Sequence, residues 1–265
     1  MYPFGLIWYQ RACPGHEGWV SIRNHDWKPD IVYLYQFPRS PCIPNVSPFC
    51  LKIETFLKAN KIPYEVRTIL MGRSQYGLLP FIELNGEHIA DSQIIMERLK
   101  EHFKVKPLLL PKDEAIARTI DRLADNHTFF VQYQFKVLEQ KNDFFTATLR
   151  EIGTPKLLLP VIAYLFRRKA ANRVAASLGH FSTEDFKMFL KKDYDAYRDI
   201  LGDQKFLFGD EISPVDCTVF GQLATTLYVP SASYGKDLLK EEYPTLVAYL
   251  DRIRDTVFGD EFENH

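Results

Sequence analysis

Along the first part of the chain the spacing of apolar side chains changes several times, and each change predicts a new element. Residues 31–37 are rich in β-branched and aromatic side chains and stop at Pro38, which is typical of a buried strand. From Ser47 the apolar positions fall at helical spacing until a Lys-Ile-Pro sequence ends the helix. The predicted elements are a strand at 31–37, a helix at 47–60, strands at 64–70, 79–84 and 87–90, with an Asn85-Gly86 hairpin turn between the last two, and a helix from Asp91 to about 103.

This order of elements predicts how the strands pair. The first two strands flank a helix, so we expect them to lie parallel and to be joined by a right-handed crossover. The last two strands form an antiparallel hairpin. A βαβ unit followed by a ββα unit is the thioredoxin-like order.

Beyond residue 106 every periodic segment predicts a helix. Pro107 and Pro111 mark a linker. The predicted helices span 114–139, 156–176, 182–201, 213 onward and 247–258. The sequence therefore predicts an N-terminal arm (1–30), an α/β thioredoxin-like domain (31–106), a linker (107–112) and an all-α domain (113–260).

The composition excludes some classes of function. The 265 residues include 33 Lys or Arg and 34 Asp or Glu, a formal net charge of −1, so no nucleic-acid partner is expected. Four scattered cysteines are too few for a disulfide scaffold, and Cys42 and Cys50 have no nearby histidine or second cysteine pair for zinc. We therefore expect a reducing compartment and no metal. The N-terminus has no charged region before its short apolar run, so a signal peptide is not predicted.

One apolar run leaves two interpretations open. Residues 157–166 form the longest such run, too short to span a bilayer, and they end at Arg167-Arg168-Lys169. A buried helix with a basic last turn explains this pattern. A helix that lies in a membrane interface explains it as well.

Candidate chemistry lies where the first strand leads into the first helix. Ser47 is a good N-cap, Pro48 suits the first helical position, and Cys50 falls in the first turn. A hydroxyl and a thiol are thus held at the positive end of a helix dipole, where a thiolate or another anion is favoured. The C-x-x-C motif that carries thiol chemistry in thioredoxin-like folds occurs here as S-x-x-C.

Four motifs, in their order and spacing, resemble the glutathione transferase superfamily. They are the Ser-Pro-Phe-Cys helix start at 47–50, the Leu-Pro-Phe-Ile strand start at 79–82, the Ala-Asp-Ser sequence at 90–92, and the segment 208–216, which is similar to the family's capping box in the helical domain. Within the superfamily, the segments YLYQFPR, PNVSPFCLKIETFL and VDCTVFG are most similar to the failed axon connections proteins, which group with metaxins and nematode cadmium-responsive proteins.

The resemblance implies a glutathione site in the thioredoxin-like domain. The cysteine of glutathione would pair with the backbone of Leu79, which precedes a cis-proline at Pro80, and the γ-glutamyl end would be held at Asp91 and Ser92. Ser47 matches the serine that activates the glutathione thiol in serine-type transferases by donating to the sulfur. For Ser47, Asp91 and Ser92, helix capping alone is the competing interpretation.

Three further residues are weaker candidates. Cys50 matches a resolving-type cysteine, but without a thiol at position 47 it cannot run a dithiol cycle, and a core position is favoured. Tyr35 lies near the strand end where tyrosine-type transferases carry their activating phenol, although packing is the favoured role. Cys42 is a candidate for modification on the loop 38–46, which holds three prolines and is long enough to cover or reshape the thiol site.

Two functions stay open. One is a serine-type glutathione transferase that conjugates glutathione to electrophiles, with a second-substrate pocket near Phe130, Tyr133 and Tyr228. The other is a non-catalytic adaptor that binds a protein partner or a membrane surface in axon development, stress response or an organelle role. The resemblance implies a possible homodimer and a cytoplasmic location, with attachment to the mitochondrial outer membrane or lysosome as the alternative.

Overall fold

The computed structural model describes residues 22–69, 74–108, 110–139 and 157–263. Within these ranges four strands form one mixed sheet in the order β2-β1-β3-β4. The strands are β1 (Val32–Gln36), β2 (Tyr64–Thr68), β3 (Phe81–Leu84) and β4 (Glu87–Ala90). β2 is parallel to β1, whereas β3 is antiparallel to both β1 and β4, which confirms the predicted pairing.

Alternation along the strands gives the sheet two packed faces. The inner face packs against α1 (Pro48–Ala59) and α2 (Ser92–His102) through a cluster that includes Val32, Leu34, Ile82, Leu84 and Ile89. The outer face carries Tyr33, Tyr35, Phe81 and Ala90. All five residues of β1 are buried, because the strand is covered on both sides.

The rest of the described chain is helical. Its helices are α3 (Pro111–Arg122), α4 (Phe129–Tyr133), α5 (Leu159–Leu178), α6 (Thr183–Leu201), α7 (Pro214–Leu227), α8 (Tyr234–Glu242) and α9 (Pro244–Val257). A short 3₁₀ turn follows at Gly259–Phe262. α7 lies directly on α1: a Cβ added at Gly221 would come within 2.6 Å of the Pro48 carbonyl oxygen, so only glycine allows this approach.

Two parts of the helical region differ from the sequence prediction. The helix predicted at 114–139 begins at Pro111, inside the predicted linker, and π-helical turns at Leu123–Thr128 and Gln134–Glu139 interrupt it. Periodicity alone cannot place such turns, because each departs from the α-helical spacing for only a few residues. α8 has no counterpart in the prediction, since only Leu238 and Leu239 are buried apolar side chains in it.

Part of the N-terminal arm lies on the outer face of the sheet. The backbone amides of Arg23 and Asn24 donate to the buried carboxylate of Glu83, which also accepts from the Tyr35 hydroxyl at 2.9 Å. The Asp30 amide donates to the side chain of Asn85 in the hairpin turn at 2.8 Å. Residues 22–30 thus provide hydrogen bonds to a carboxylate that burial would otherwise make costly. Trp8 and Trp19 fall outside the described residues.

A buried capping box fixes the start of α7. The hydroxyl and the amide of Ser213 both donate to one oxygen of Asp216, at 2.6 and 2.8 Å. The other oxygen accepts from the Leu207 amide at 3.0 Å and from the Tyr249 hydroxyl at 2.7 Å. One buried carboxylate therefore ties the helix start to the preceding turn and to α9.

Replacing this carboxylate should be costly. Asp216→Ala is expected to lower the free energy of unfolding by about 3 kcal/mol, because it leaves buried amide and hydroxyl donors unpaired. Asp185→Ala, the matched change in the exposed capping box of α6, should cost clearly less. Urea denaturation of both variants measures the difference. Equal losses would contradict the role assigned to Asp216.

Candidate functional site

The topology brings three segments to one edge of the sheet. Because β3 runs antiparallel to β1 and β4, the end of β1, the start of β3 and the end of β4 meet there. The loop before α1, the Leu79-Pro80 sequence and the start of α2 therefore become neighbours. Cys50, Leu79 and Ala90, one from each segment, pack in one buried cluster. The predicted site residues Ser47, Cys50, Leu79, Pro80, Asp91 and Ser92 flank this edge.

Asn45 positions Ser47. Its buried side chain donates to the Phe37 carbonyl at 2.9 Å and accepts the Ser47 amide at 3.0 Å, which ties the start of α1 to the end of β1. Ser47 has the extended backbone of an N-cap, but its side chain caps no amide. The predicted N-cap position is therefore correct and the expected capping bond is absent. An Asn two residues ahead of a helix start is the one sequence signal for this arrangement.

The loop 38–46 packs against the helical half. Ile43 is fully buried in the core of that half and exchanges backbone hydrogen bonds with Ser40 at 3.3 Å. Arg39 forms an ion pair with Glu54, which is buried on α1. Held in this way, the loop leaves Ser47 partly exposed.

The peptide bond between Leu79 and Pro80 is cis. The resemblance implies this geometry. Within the described part of the chain, the amide and carbonyl of Leu79 form no hydrogen bond, although β3 begins two residues later. An unpaired backbone at a sheet edge can accept an extended peptide as an added strand.

Asp91 and Ser92 form the start of α2. Asp91 has φ 75°, a conformation that non-glycine residues rarely adopt and that recurs at functional sites. Its Oδ1 accepts from the amides of Gln93 at 2.9 Å and Ile94 at 3.4 Å. No described residue donates to Oδ2 or hydrogen-bonds the Ser92 hydroxyl. The turn therefore caps the helix, and it leaves Oδ2 of Asp91 and the hydroxyl of the largely buried Ser92 without a partner among the described residues.

The other candidates near this edge are less accessible. The Cys50 thiol is fully buried, and Cys42 is half-buried with its Sγ 3.3 Å from the Ser40 hydroxyl. Tyr35 packs on the outer face, where burial and the Glu83 carboxylate raise its pKa well above the usual value. Among the described residues no three His, Cys, Asp or Glu side chains converge as a metal site.

A buried ion cluster links the two halves next to this edge. Lys52 of α1 has no exposed side-chain surface and lies 2.7 Å from Asp125 and 3.4 Å from Asp121. Gln93, one residue after Ser92, donates to Asp125 at 2.8 Å. Burial alone would raise the pKa of Asp121, but the Lys52 charge, with hydrogen bonds from neighbouring side chains, lowers it. Sequence reasoning misses the cluster because Lys52 is 69 and 73 residues from these carboxylates.

An aromatic wall extends from α1 into the helical half. The Phe49 ring packs on Phe129 with the centroids 4.9 Å apart, and Phe129 stacks on Tyr133 at 5.3 Å. Phe130 also contacts Phe129. Two of the three aromatic residues predicted for a second-substrate pocket thus lie together near Ser47. The Tyr228 ring packs on Phe262, with the centroids 5.1 Å apart, and makes no ring contact with this wall among the described residues.

Both halves of the chain match models of one protein family. Residues 48–142 match the glutathione S-transferase N-terminal domain, and residues 190–253 match the glutathione S-transferase C-terminal domain. The chain is 29% identical over 255 residues to Failed axon connections of Drosophila melanogaster, an alignment that covers 91% of this chain and 61% of that protein. The chain thus spans less than two thirds of that relative's length.

One further relative and two solved structures are also glutathione S-transferases. The chain is 27% identical over 237 residues to the isoprene-epoxide–glutathione S-transferase of Rhodococcus sp. (strain AD45), covering 84% of this chain and 98% of that enzyme. A glutathione S-transferase of Methylobacterium radiotolerans in complex with glutathione sulfonate superposes with a TM-score of 0.54 at 18% identity, over 88% of this chain and 94% of that chain. A glutathione S-transferase from the Antarctic clam Laternula elliptica gives 0.56 at 16% identity, over 88% and 93%.

The ion cluster should hold the two halves together. Lys52→Met is expected to lower the free energy of unfolding by about 3–5 kcal/mol, because two buried carboxylates lose their buried cation and keep only the partly exposed Arg122 as a close counter-ion. Lys58→Met, the matched change at the other end of α1 where Lys58 pairs with the exposed Glu261, should cost far less. Urea denaturation measures both losses, and losses of similar size would disprove the importance of the buried cluster.

Proposed function

Because this chain belongs to the glutathione transferase superfamily, we propose that it binds glutathione at the sheet edge and conjugates it to electrophiles with Ser47 as thiol activator. The observation that carries the proposal is Ser47, a partly exposed residue at the N-terminus of α1 whose hydroxyl caps no amide. Residues 31–106 would hold glutathione, residues 113–260 would supply the second-substrate wall, and 107–112 would link them.

The unpaired groups at the edge match the groups of glutathione. The cysteinyl backbone of the tripeptide pairs with the amide and carbonyl of Leu79, as an added strand does. The γ-glutamyl end carries an ammonium and a carboxylate. Oδ2 of Asp91 accepts from the ammonium, and the Ser92 hydroxyl at the start of α2 donates to the carboxylate.

Ser47 then acts on the bound thiol. A hydrogen bond from its hydroxyl to the sulfur, together with the positive end of the α1 dipole, lowers the thiol pKa and favours the thiolate. The thiolate attacks an electrophilic carbon and forms a C–S bond, and the leaving group or epoxide oxygen takes the displaced electron pair. The aromatic wall from Phe49 to Tyr133 suits an apolar second substrate.

The names of two similar proteins support glutathione as the ligand. One relative is an isoprene-epoxide–glutathione S-transferase, and one fold neighbour was solved with glutathione sulfonate. The similarity to Failed axon connections keeps a binding role without catalysis as the second candidate. Turnover separates the two, because a binding role without catalysis does not require an activated thiol.

Glutathione binding tests the site itself. Calorimetric titration of the full chain should show binding that Asp91→Asn weakens about tenfold or more, because the variant lacks the charge that faces the ammonium. Asparagine keeps an Oδ1 acceptor for α2 and tolerates the positive φ of this position. Asp185→Asn, at the exposed start of α6, is the matched control and should bind like the unmodified chain. An unmodified chain that gives no binding heat rules the site out.

Turnover of chlorodinitrobenzene tests the role of Ser47. Ser47→Ala should retain glutathione affinity but lose about tenfold or more in kcat, with the alkaline shift of the pH profile that a raised thiol pKa produces. Ser92→Ala, at the γ-glutamyl end, should instead raise the KM for glutathione. Activity that does not depend on Ser47 contradicts the mechanism. Glutathione binding without turnover in the unmodified chain would favour the non-catalytic function.

A further inference from the structure

The outer face of α5 is apolar and lies open. Five apolar side chains at and just before the start of α5 are exposed: Leu157 by 91%, Leu158 by 44%, Val161 by 57%, Tyr164 by 62% and Leu165 by 56%. Their spacing places them on one side of the helix. Leu159, Ala170 and Val174 are buried on the opposite side, against the rest of the helical half. We call the exposed set the α5 stripe.

Basic residues continue the stripe toward the C-terminus of α5. Arg168 and Lys169 are exposed about one turn beyond Leu165, and neither forms an ion pair with any described residue. α5 contains four Lys or Arg residues and no Asp or Glu. The whole chain has a formal charge of −1, whereas the charged side chains of α5 are all positive. Positive charge is therefore concentrated on this helix.

We propose that the α5 stripe binds the surface of an anionic lipid bilayer, with α5 lying along the interface. Apolar side chains next to an all-basic segment are the pattern of interfacial helices. Val161 and Leu165 enter the boundary between headgroups and acyl chains, Tyr164 lies at headgroup depth, and Arg168 and Lys169 contact lipid phosphates. α5 does not cross the bilayer, because no described helix is both long and apolar enough to do so.

A second copy of the chain that pairs its own α5 with this α5 fits the stripe less well. If two α5 helices paired in parallel, their basic segments would face each other and repel. If they paired antiparallel, Arg168 and Lys169 would be buried against Val161 and Leu165 without a counter-ion, which is costly. A bilayer surface provides an apolar layer and anionic groups side by side, so it satisfies both parts of the stripe.

Vesicle flotation of the full chain tests this proposal. We expect flotation with phosphatidylcholine vesicles that contain phosphatidylserine, and much weaker flotation with phosphatidylcholine alone or at high ionic strength. Val161→Glu should lower the apparent affinity by about tenfold or more, because it places a charge at the centre of the apolar surface. Met188→Glu is the matched control on an exposed position of α6 and should leave binding unchanged.

The basic part of the stripe has its own test. Arg168→Gln/Lys169→Gln should lower binding to the anionic vesicles by about tenfold, whereas Lys191→Gln/Lys192→Gln, an adjacent basic pair on α6, should not. Three results overturn the proposal. They are no flotation with the anionic vesicles, a lower oligomeric state of Val161→Glu in light scattering, and a clearly lower unfolding midpoint of Val161→Glu. A lower oligomeric state would mean that the stripe packs against a second copy of the chain. A lower unfolding midpoint would mean that it packs against another part of the same chain.

Discussion

The close approach of α7 to α1 at Gly221 is the constraint on which the rest of the site depends. With no side chain at this position, the backbone of α7 reaches the first turn of α1 beside Pro48 and Lys52. This contact brings the helical half close enough for Asp121 and Asp125 to surround the Lys52 ammonium. It also brings Phe129 onto Phe49, so the aromatic wall begins beside Ser47. A bulkier residue at 221 would push α7 away from α1, and it would disrupt both the ion cluster and the aromatic wall.

Local signals predicted most of the fold. Proline, Asn-Gly and serine-acid pairs act within a few residues, and they placed the strands, the hairpin and the starts of α1, α2, α6 and α7. The Lys52 cluster could not be predicted, because its members lie far apart in the sequence. The π-helical turns could not be predicted either, because each departs from the α-helical spacing for only a few residues. Ser47 illustrates the difference between what local sequence predicts and what it does not. Its position was predictable, whereas the missing capping bond depends on how Asn45 holds the loop.

The apolar run at 157–166 shows why periodicity left two interpretations open. A run that is apolar on all sides contains no information about which side is covered. In the structure Leu159 is buried against the helical half, whereas Val161 and Leu165 face outward. Which side of α5 is covered depends on the position of α5 relative to α4 and to the π-helical turns that flank α4. That position is a tertiary property.

The N-termini of α1 and α2 at the sheet edge differ in charge, and this difference would orient the ligand of the proposed site. The N-terminus of α2 is already compensated, because Asp91 accepts from two of its amides. α1 has no acidic residue in its first turn and no side-chain cap, so its positive end is uncompensated. An anion is therefore favoured at Ser47 and a cation beside Asp91. Since Cys50 is buried, the thiolate of the proposed mechanism would come from the ligand. In the proposed site glutathione, whose ammonium and thiol lie at separate points of one extended chain, would satisfy both ends in one orientation only.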